Sequence, residues 1–368
     1  MVELADVFNR FAPDYLRKHG AAMLPSHHRA INDIIQCRTE ALGCHLYRCD
    51  TCDTPVYAFH SCRNRSCPKC HFEQTKKWLE KRQEEVLPIP YFHITITVPE
   101  ELRFIFRSNQ TDTYGIFMKA CAEAILELAR DPKWLGATPG VLSALHTWNQ
   151  QMLQHIHTHN LVTGGGVADD GSWRPAPKKG FLFPEQALSK LVRGKVMSML
   201  KRERPDLVLP QTVWQKKWVV HCTPWAEGVQ TVLDYLARYA FRIAINNSRI
   251  VAMDEKSVTF RYKDRKQKKW RTCQISGEEF MRRFLQHVLP GGFHKIRYYG
   301  LWHPSKRSLV QRIWLQLEKE SPPDLPTATP VDQGPPPQKV GNGAPCPCCS
   351  AGKLFLVQII QKPRARAP

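Results

Sequence analysis

The sequence predicts an α+β chain, with a cysteine-rich module near the N-terminus followed by interleaved strands and helices. Three observations predict it. Seven cysteines fall between Cys37 and Cys70, in a stretch with few periodic apolar positions. Phe92-His93-Ile94-Thr95-Ile96-Thr97-Val98 alternates with the two-residue period of a strand. Residues 184–202 and 225–244 read instead as helices, the second with its apolar residues on one stripe.

Taken in order, residues 1–36 read as helical, with Pro13 and Pro25 expected to break the run. In 37–71 metal is expected to replace a hydrophobic core. Phe72 to Val86 is a charged helix ended by Pro88 and Pro90. After the strand Phe92 to Val98 a helix runs from about Thr113 to Ala129. Val141 to Trp148 and Ile156 to Thr163 are the next strands, and Gly164 to Gly180 reads as loop. Beyond the basic helix 184–202, Trp218 to His221 is a short strand and 225–244 a helix carrying Tyr235 and Tyr239. Residues 249–275 look like a hairpin and a further strand, and 277–289 a helix. Proline, glycine and polar residues from Ser321 to Pro345 make a linker, ahead of a cysteine knuckle and the basic tail Lys362 to Pro368.

The 368 residues suffice for two or three domains. Against 33 acidic residues stand 53 Lys and Arg, a formal net charge of +20, which predicts a polyanionic partner. Nucleic acid fits better than a membrane: no apolar run approaches about 18 residues, and the start lacks the pattern of a secretory leader. The chain is too long for a disulfide scaffold, so reduced thiolates holding zinc in a cytoplasmic, nucleoid-associated protein explain the cysteines better.

Cys49-x2-Cys52 and Cys67-x2-Cys70 are two knuckles, each suited to half of a tetrahedral zinc shell, and together they predict one four-cysteine zinc site. Cys37, His45 and Cys62 are candidates for a second zinc. Arg63, Arg65, Lys69, Lys76 and Lys77 crowd the module, as a phosphate-binding surface would. Cys346, Cys348 and Cys349 supply at most half a site and stay unassigned.

His157 and His159 point to one face of their strand, about 6.6 Å apart along it, a spacing at which two imidazoles can share a divalent cation. A third ligand is expected from the preceding strand, where His146 lies eleven residues before His157; Gln150 is the alternative. On the helix 225–244, Val229, Val232, Leu233, Leu236, Ala240 and Ile243 form the stripe expected to face the sheet. Tyr235 and Tyr239 fall roughly 40° apart beside that stripe, with Arg238 and Arg242 just beyond. Periodicity alone also allows two boundary tyrosines that merely seal a core edge.

These segments together resemble the rolling-circle HUH transposases of bacterial insertion sequences, the insertion-sequence ninety-one type related to helitrons. The resemblance rests on Cys49 to Cys70 with Ser61-Cys62-Arg63-Asn64-Arg65, on Phe92 to Val98, on Leu145-His146-Thr147-Trp148 and on His157 to Gly166. Tyr235-Leu236-Ala237-Arg238-Tyr239 with Arg242-Ile243-Ala244, Asn247-Ser248-Arg249 and Arg283-Phe284-Leu285 extend it over about 10–300. Local departures are Thr158 between the histidines, where a hydrophobic residue is usual, Ile156 for a common proline, Asn160 for a common cysteine, and Ser66 for a frequent histidine. The resemblance implies an HUH domain, an antiparallel sheet flanked by helices. Tyr235 and Tyr239 would then be nucleophiles on single-stranded DNA, with Mg2+ or Mn2+ on His146, His157 and His159, Zn2+ in the N-terminal module, and Arg63, Arg65, Arg238 and Arg242 on the DNA. The expected segments are 1–88 (helical and zinc-binding), 89–260 (HUH catalytic), 261–320 (basic extension), 321–345 (linker) and 346–368 (knuckle and tail). A replication initiator using the same chemistry, or a non-catalytic zinc-dependent DNA-binding regulator, are the alternatives.

Overall fold

The structure, a computed structural model, describes residues 2–82, 86–178, 180–226, 232, 239, 242–264, 267–320 and 340–362. Helices α1 (Leu4–His19) and α2 (Pro25–Gln36) lead into strands β1 (Cys44–Cys49) and β2 (Pro55–Phe59) and helix α3 (Pro68–Arg82). Next come β3 (Tyr91–Thr97), α4 (Glu100–Ser108), α5 (Gln110–Arg130), β4 (Thr138–Trp148), β5 (Gln154–Val167) and β6 (Trp173–Pro175). They are followed by α6 (Glu185–Glu203), α7 (Thr212–Gln215) and β7 (Val219–Ala226). The remainder comprises β8 (Ile250–Met253), β9 (Ser257–Lys263), β10 (Trp270–Ser276), α8 (Gly277–Leu285), β11 (Ile296–Gly300), α9 (Arg307–Glu320) and β12 (Leu354–Ile360). The class is α+β, with antiparallel sheets. No described helix is long and apolar enough to cross a membrane.

The chain forms two compact units. One takes Met1–Thr75, Ile243–Val288 and Pro330–Pro368; the other takes Lys76–Arg242 and Leu289–Thr329. The serial segments expected from composition are therefore interleaved, and 261–320 is divided between the units.

In the second unit the strands run in the order β11-β4-β5-β3-β7, with β6 beside β5. Strand periodicity gives the sheet two different faces. Phe92, Ile94 and Ile96 join Phe106, Phe117 and Ile125 from α4 and α5 in a large apolar core on one side. On the other side Tyr91, Leu142 and Leu161 pack with Val232, Leu301 and Ile313 in a smaller cluster. Two residues further along each strand, that same face turns from apolar to imidazole: Leu161 is followed by His159 in alternation, and Tyr91 by His93.

In the first unit α1 and α8 meet through an edge-to-face pair, Phe8 with Phe284, and Lys18 ion-pairs Glu278 at 2.7 Å. Strands β12-β1-β2 make one small sheet and β10-β9-β8 another.

Three local expectations change. Pro13 lies inside α1 rather than ending it, because Leu4, Val7, Phe8, Ala12 and Tyr15 bury one continuous stripe across it. Gly164 to Gly166 continue β5, so the expected loop starts later. Of the expected helix 225–244, residues 225 and 226 end β7 instead, Val232 and Tyr239 are helical, and most of the rest, Tyr235 and Arg238 included, lies outside the described residues. Most of the expected linker also lies outside them.

Candidate functional site

Register explains why three histidines meet. β4 and β5 are antiparallel neighbours, and their ladder puts His146 opposite His157 and Ala144 opposite His159. On the other flank of β5, β3 puts Thr95 opposite His159. Cross-strand partners share a face, so His146, His157, His159 and Thr95 all project to one side, with His93 beside Thr95 at the two-residue period. The turn between β4 and β5 is held by Asn149, whose side-chain oxygen accepts the backbone N–H of Gln151 and of Leu153, each at 2.9 Å.

The ligand atoms of His146, His157 and His159 lie within 4.8 Å of one another. The residues are 2%, 5% and 9% exposed. Hydrogen bonds to carbonyls, which only accept, settle two tautomers. His157 Nδ1 donates to the His155 carbonyl at 2.8 Å, so Nε2 is the unprotonated nitrogen. His146 Nε2 donates to the Tyr239 carbonyl at 2.7 Å, leaving Nδ1 free. His157 Nε2 faces His159 Nε2 at 3.1 Å, and His159 Nδ1 meets His93 Nε2 at 2.8 Å. If His159 holds its proton on Nδ1 and donates it to His93, two lone pairs face each other, a repulsion that a shared cation relieves.

Burial holds His146 and His159 well below the ordinary imidazole range, and the His157 imidazole, Lys295 and Arg242 add to the effect at His146. Burial likewise lowers His93 to about 4. Neutral imidazole is the form that binds metal. The donor set therefore fits a divalent ion on His146, His157 and His159. Nothing in the isolated sequence singled out His93; the signal was its place in an alternating strand that pairs with the histidine strand.

The Tyr239 ring, half-buried, packs 4.3 Å from the His159 ring, 5.3 Å from His93 and 6.2 Å from His146. Arg242 is exposed close by in the chain, and its carbonyl accepts a hydrogen bond from Lys295 Nζ at 3.1 Å. One phenol, three buried imidazoles and two cationic side chains thus gather on one sheet face.

The cysteines group differently from the expected single site. Cys67 and Cys70 meet Cys37 and Cys62, whereas Cys49 and Cys52 meet Cys346 and Cys349. The reason is the β1–β2 hairpin. Its strands carry the 49–52 knuckle about 17 Å from the end at which Cys37 and Cys62 lie, too far for the two knuckles to share one ion. In the first group Cys70 Sγ is 3.4 Å from Cys37 Sγ and 3.6 Å from Cys62 Sγ. His45 does not join Cys37 and Cys62; its Nδ1 lies 3.0 Å from His60 Nε2. Arg63 is exposed, while Arg65 is half-buried and its guanidinium pKa is lowered by that burial. Lys69 ion-pairs Glu3 at 2.6 Å.

Comparison with protein families matches residues 7–98 to a family described as "Transposase zinc-binding domain" and residues 140–309 to one described as "Putative transposase". The chain is 35% identical over 379 residues to "Putative transposase y4qJ" of Sinorhizobium fredii (strain NBRC 101917 / NGR234), covering 97% of this chain and 95% of that protein. It is 26% identical over 290 residues to "Transposase for insertion sequence element IS801" of Pseudomonas savastanoi pv. phaseolicola, covering 73% of this chain and 68% of that protein. No solved structure matches.

Proposed function

The chain belongs to the IS91-type insertion-sequence transposases with an N-terminal zinc-binding domain, and from that membership we propose that it nicks and rejoins single-stranded DNA at element ends by tyrosine transesterification. The observation that carries this reading is the Tyr239 ring against His159, together with the Tyr239 carbonyl on His146. A phenol and a three-imidazole set joined in this way are the parts a metal-assisted phosphoryl transfer needs.

His146, His157 and His159 would hold Mg2+ or Mn2+, which when bound draws charge off the scissile phosphate and orients it. His93 fixes the ring of His159, and the His155 and Tyr239 carbonyls fix His157 and His146. The Tyr239 phenol oxygen attacks phosphorus. A Tyr–O–P bond forms as the P–O3′ bond breaks, and the phenol's proton is balanced by the one the departing 3′ oxygen takes up. One phosphoester replaces another, so the free 3′-OH can reverse the step without ATP. Lys295 and Arg242 supply positive charge beside the strand. Tyr235, outside the described residues, would serve as the second nucleophile, one tyrosine holding the first end while the other cuts the second.

The first unit offers a surface suited to unpaired bases. Trp270 is 57% exposed, with Arg261 over its ring at 5.3 Å, and the two line a shallow depression with Arg271 and Val251. Aromatic and guanidinium planes of this kind stack bases without regard to sequence.

The test is incubation of the full chain with single-stranded element-end DNA and Mn2+, followed by a denaturing gel. Wild type should form a covalent adduct. The double variant Tyr235→Phe, Tyr239→Phe should bind the DNA and form none. His157→Ala should lose cleavage far more than binding. Full adduct yield from the double variant would overturn both nucleophile assignments.

A further inference from the structure

We propose that Cys49, Cys52, Cys346 and Cys349 bind a second structural zinc ion, which fastens the C-terminal knuckle to the N-terminal zinc module. Cys346 and Cys349 lie outside the residues matched to the zinc-binding family, 7–98, so the site exceeds that domain.

Four observations carry it. The first is distance. Zn–S bonds of about 2.3 Å in a tetrahedron set neighbouring sulfurs about 3.8 Å apart. Cys49 Sγ lies 3.7 Å from Cys349 Sγ, and Cys52 Sγ lies 3.8 Å from Cys346 Sγ. A disulfide needs sulfurs about 2.05 Å apart, so these pairs are not half-formed bridges.

The second is the shape of the two loops. Cys49-x2-Cys52 and Cys346-x2-Cys349 have the same spacing, and each is followed by a non-glycine residue in the left-handed region, Asp53 at φ 53° and Ser350 at φ 58°. A left-handed residue costs roughly 1–2 kcal/mol outside glycine, so finding one behind each knuckle points to a shared constraint. In each loop backbone N–H groups point at the first sulfur. Thr51 N and Cys52 N reach Cys49 Sγ at 3.4 and 3.5 Å, and Cys348 N reaches Cys346 Sγ at 3.4 Å.

The third is the scaffold. β12 pairs with β1 antiparallel along its length, with Leu354 opposite Cys49, so the knuckles are delivered by a ladder. Asp50 Oδ1 accepts the Lys353 N–H at 2.8 Å, and the Asp50 N–H donates to the Lys353 carbonyl at 3.0 Å. The fourth is the close approach of Gly352. A Cβ there would come within 2.3 Å of Cys49 Sγ, so the C-terminal loop is cut to fit the sulfur. Tyr47, Cys49, Cys346 and Leu354 form the small core beneath the site, and so few apolar side chains need a metal to hold the two ends.

The experiment loads the full chain with Co2+ and reads the thiolate-to-cobalt charge-transfer band, which a histidine site does not produce. Wild type should saturate at two thiolate-bound cobalts per chain, and Cys346→Ser with Cys349→Ser should saturate at one, with half the band. Cys348→Ser, at a cysteine outside both groups, should keep both. Saturation of wild type at one, or of the double variant at two, overturns the proposal. Against the chance that the double variant does not fold, zinc-loaded wild type is alkylated with iodoacetamide and mapped by mass spectrometry. Cys49, Cys52, Cys346 and Cys349 should resist until a chelator is added, while exposed Cys348 reacts throughout. Equal labelling of Cys52 and Cys349 with and without chelator also overturns it.

Discussion

His93 shows how one side chain outside a ligand set can govern it. Its contact with His159 Nδ1 fixes the ring that faces His157, and burial keeps it neutral with a pKa of about 4 against an ordinary 6.5. A group whose folded pKa lies below its unfolded one binds its proton more readily unfolded. The stability it contributes is therefore complete above about pH 6.5 and is lost as pH falls toward 4. Taken at full extent the His93 share is about 3 kcal/mol. With divalent ions removed, denaturant midpoints should fall across that window, and His93→Gln should flatten the fall; an unchanged slope would remove His93 from the titration. The same variant should weaken Mn2+ binding by about 10-fold or more, read by calorimetry at pH 7.5. The residues that could hold the ion were legible in the sequence, because alternation alone puts His157 and His159 on one face. His93 was not, because its role depends on which strand lies beside which.

Elements were read from periodicity with fair success, and the misses have physical causes. The strand Phe92 to Val98, the pair of strands bearing His146 and His157, and the basic helix near 184–202 all formed close to their expected bounds. The glycine run read as loop because glycine is rare inside strands. Here it is needed for close approach: a Cβ on Gly166 would come within 2.7 Å of the Thr138 backbone across the ladder. Gly166→Ala should therefore destabilise the chain by about 1–3 kcal/mol, seen as a lower urea midpoint at unchanged slope. Pairing the two N-terminal knuckles failed for a related reason. Spacing identifies halves of metal sites, but only the hairpin and the β1–β12 ladder decide which halves meet.

Across the whole molecule the surplus of positive charge and the interleaving of its segments matter most. A chain of +20 that meets six to ten phosphates should bind single-stranded oligonucleotides with affinity falling about 300-fold or more between 50 and 200 mM salt, a dependence fluorescence titration would reveal. A shallow dependence would mean that the charge serves another purpose. The meeting of Cys49 with Cys349, 300 positions later, also bears on biosynthesis. At about 5–20 residues per second a translating ribosome delivers the second pair of thiols roughly 15–60 seconds after the first. Through that interval Cys49 and Cys52 stand open to oxidants and stray metals, and a message cut short before the codon for Cys346 would leave them so for the life of the protein.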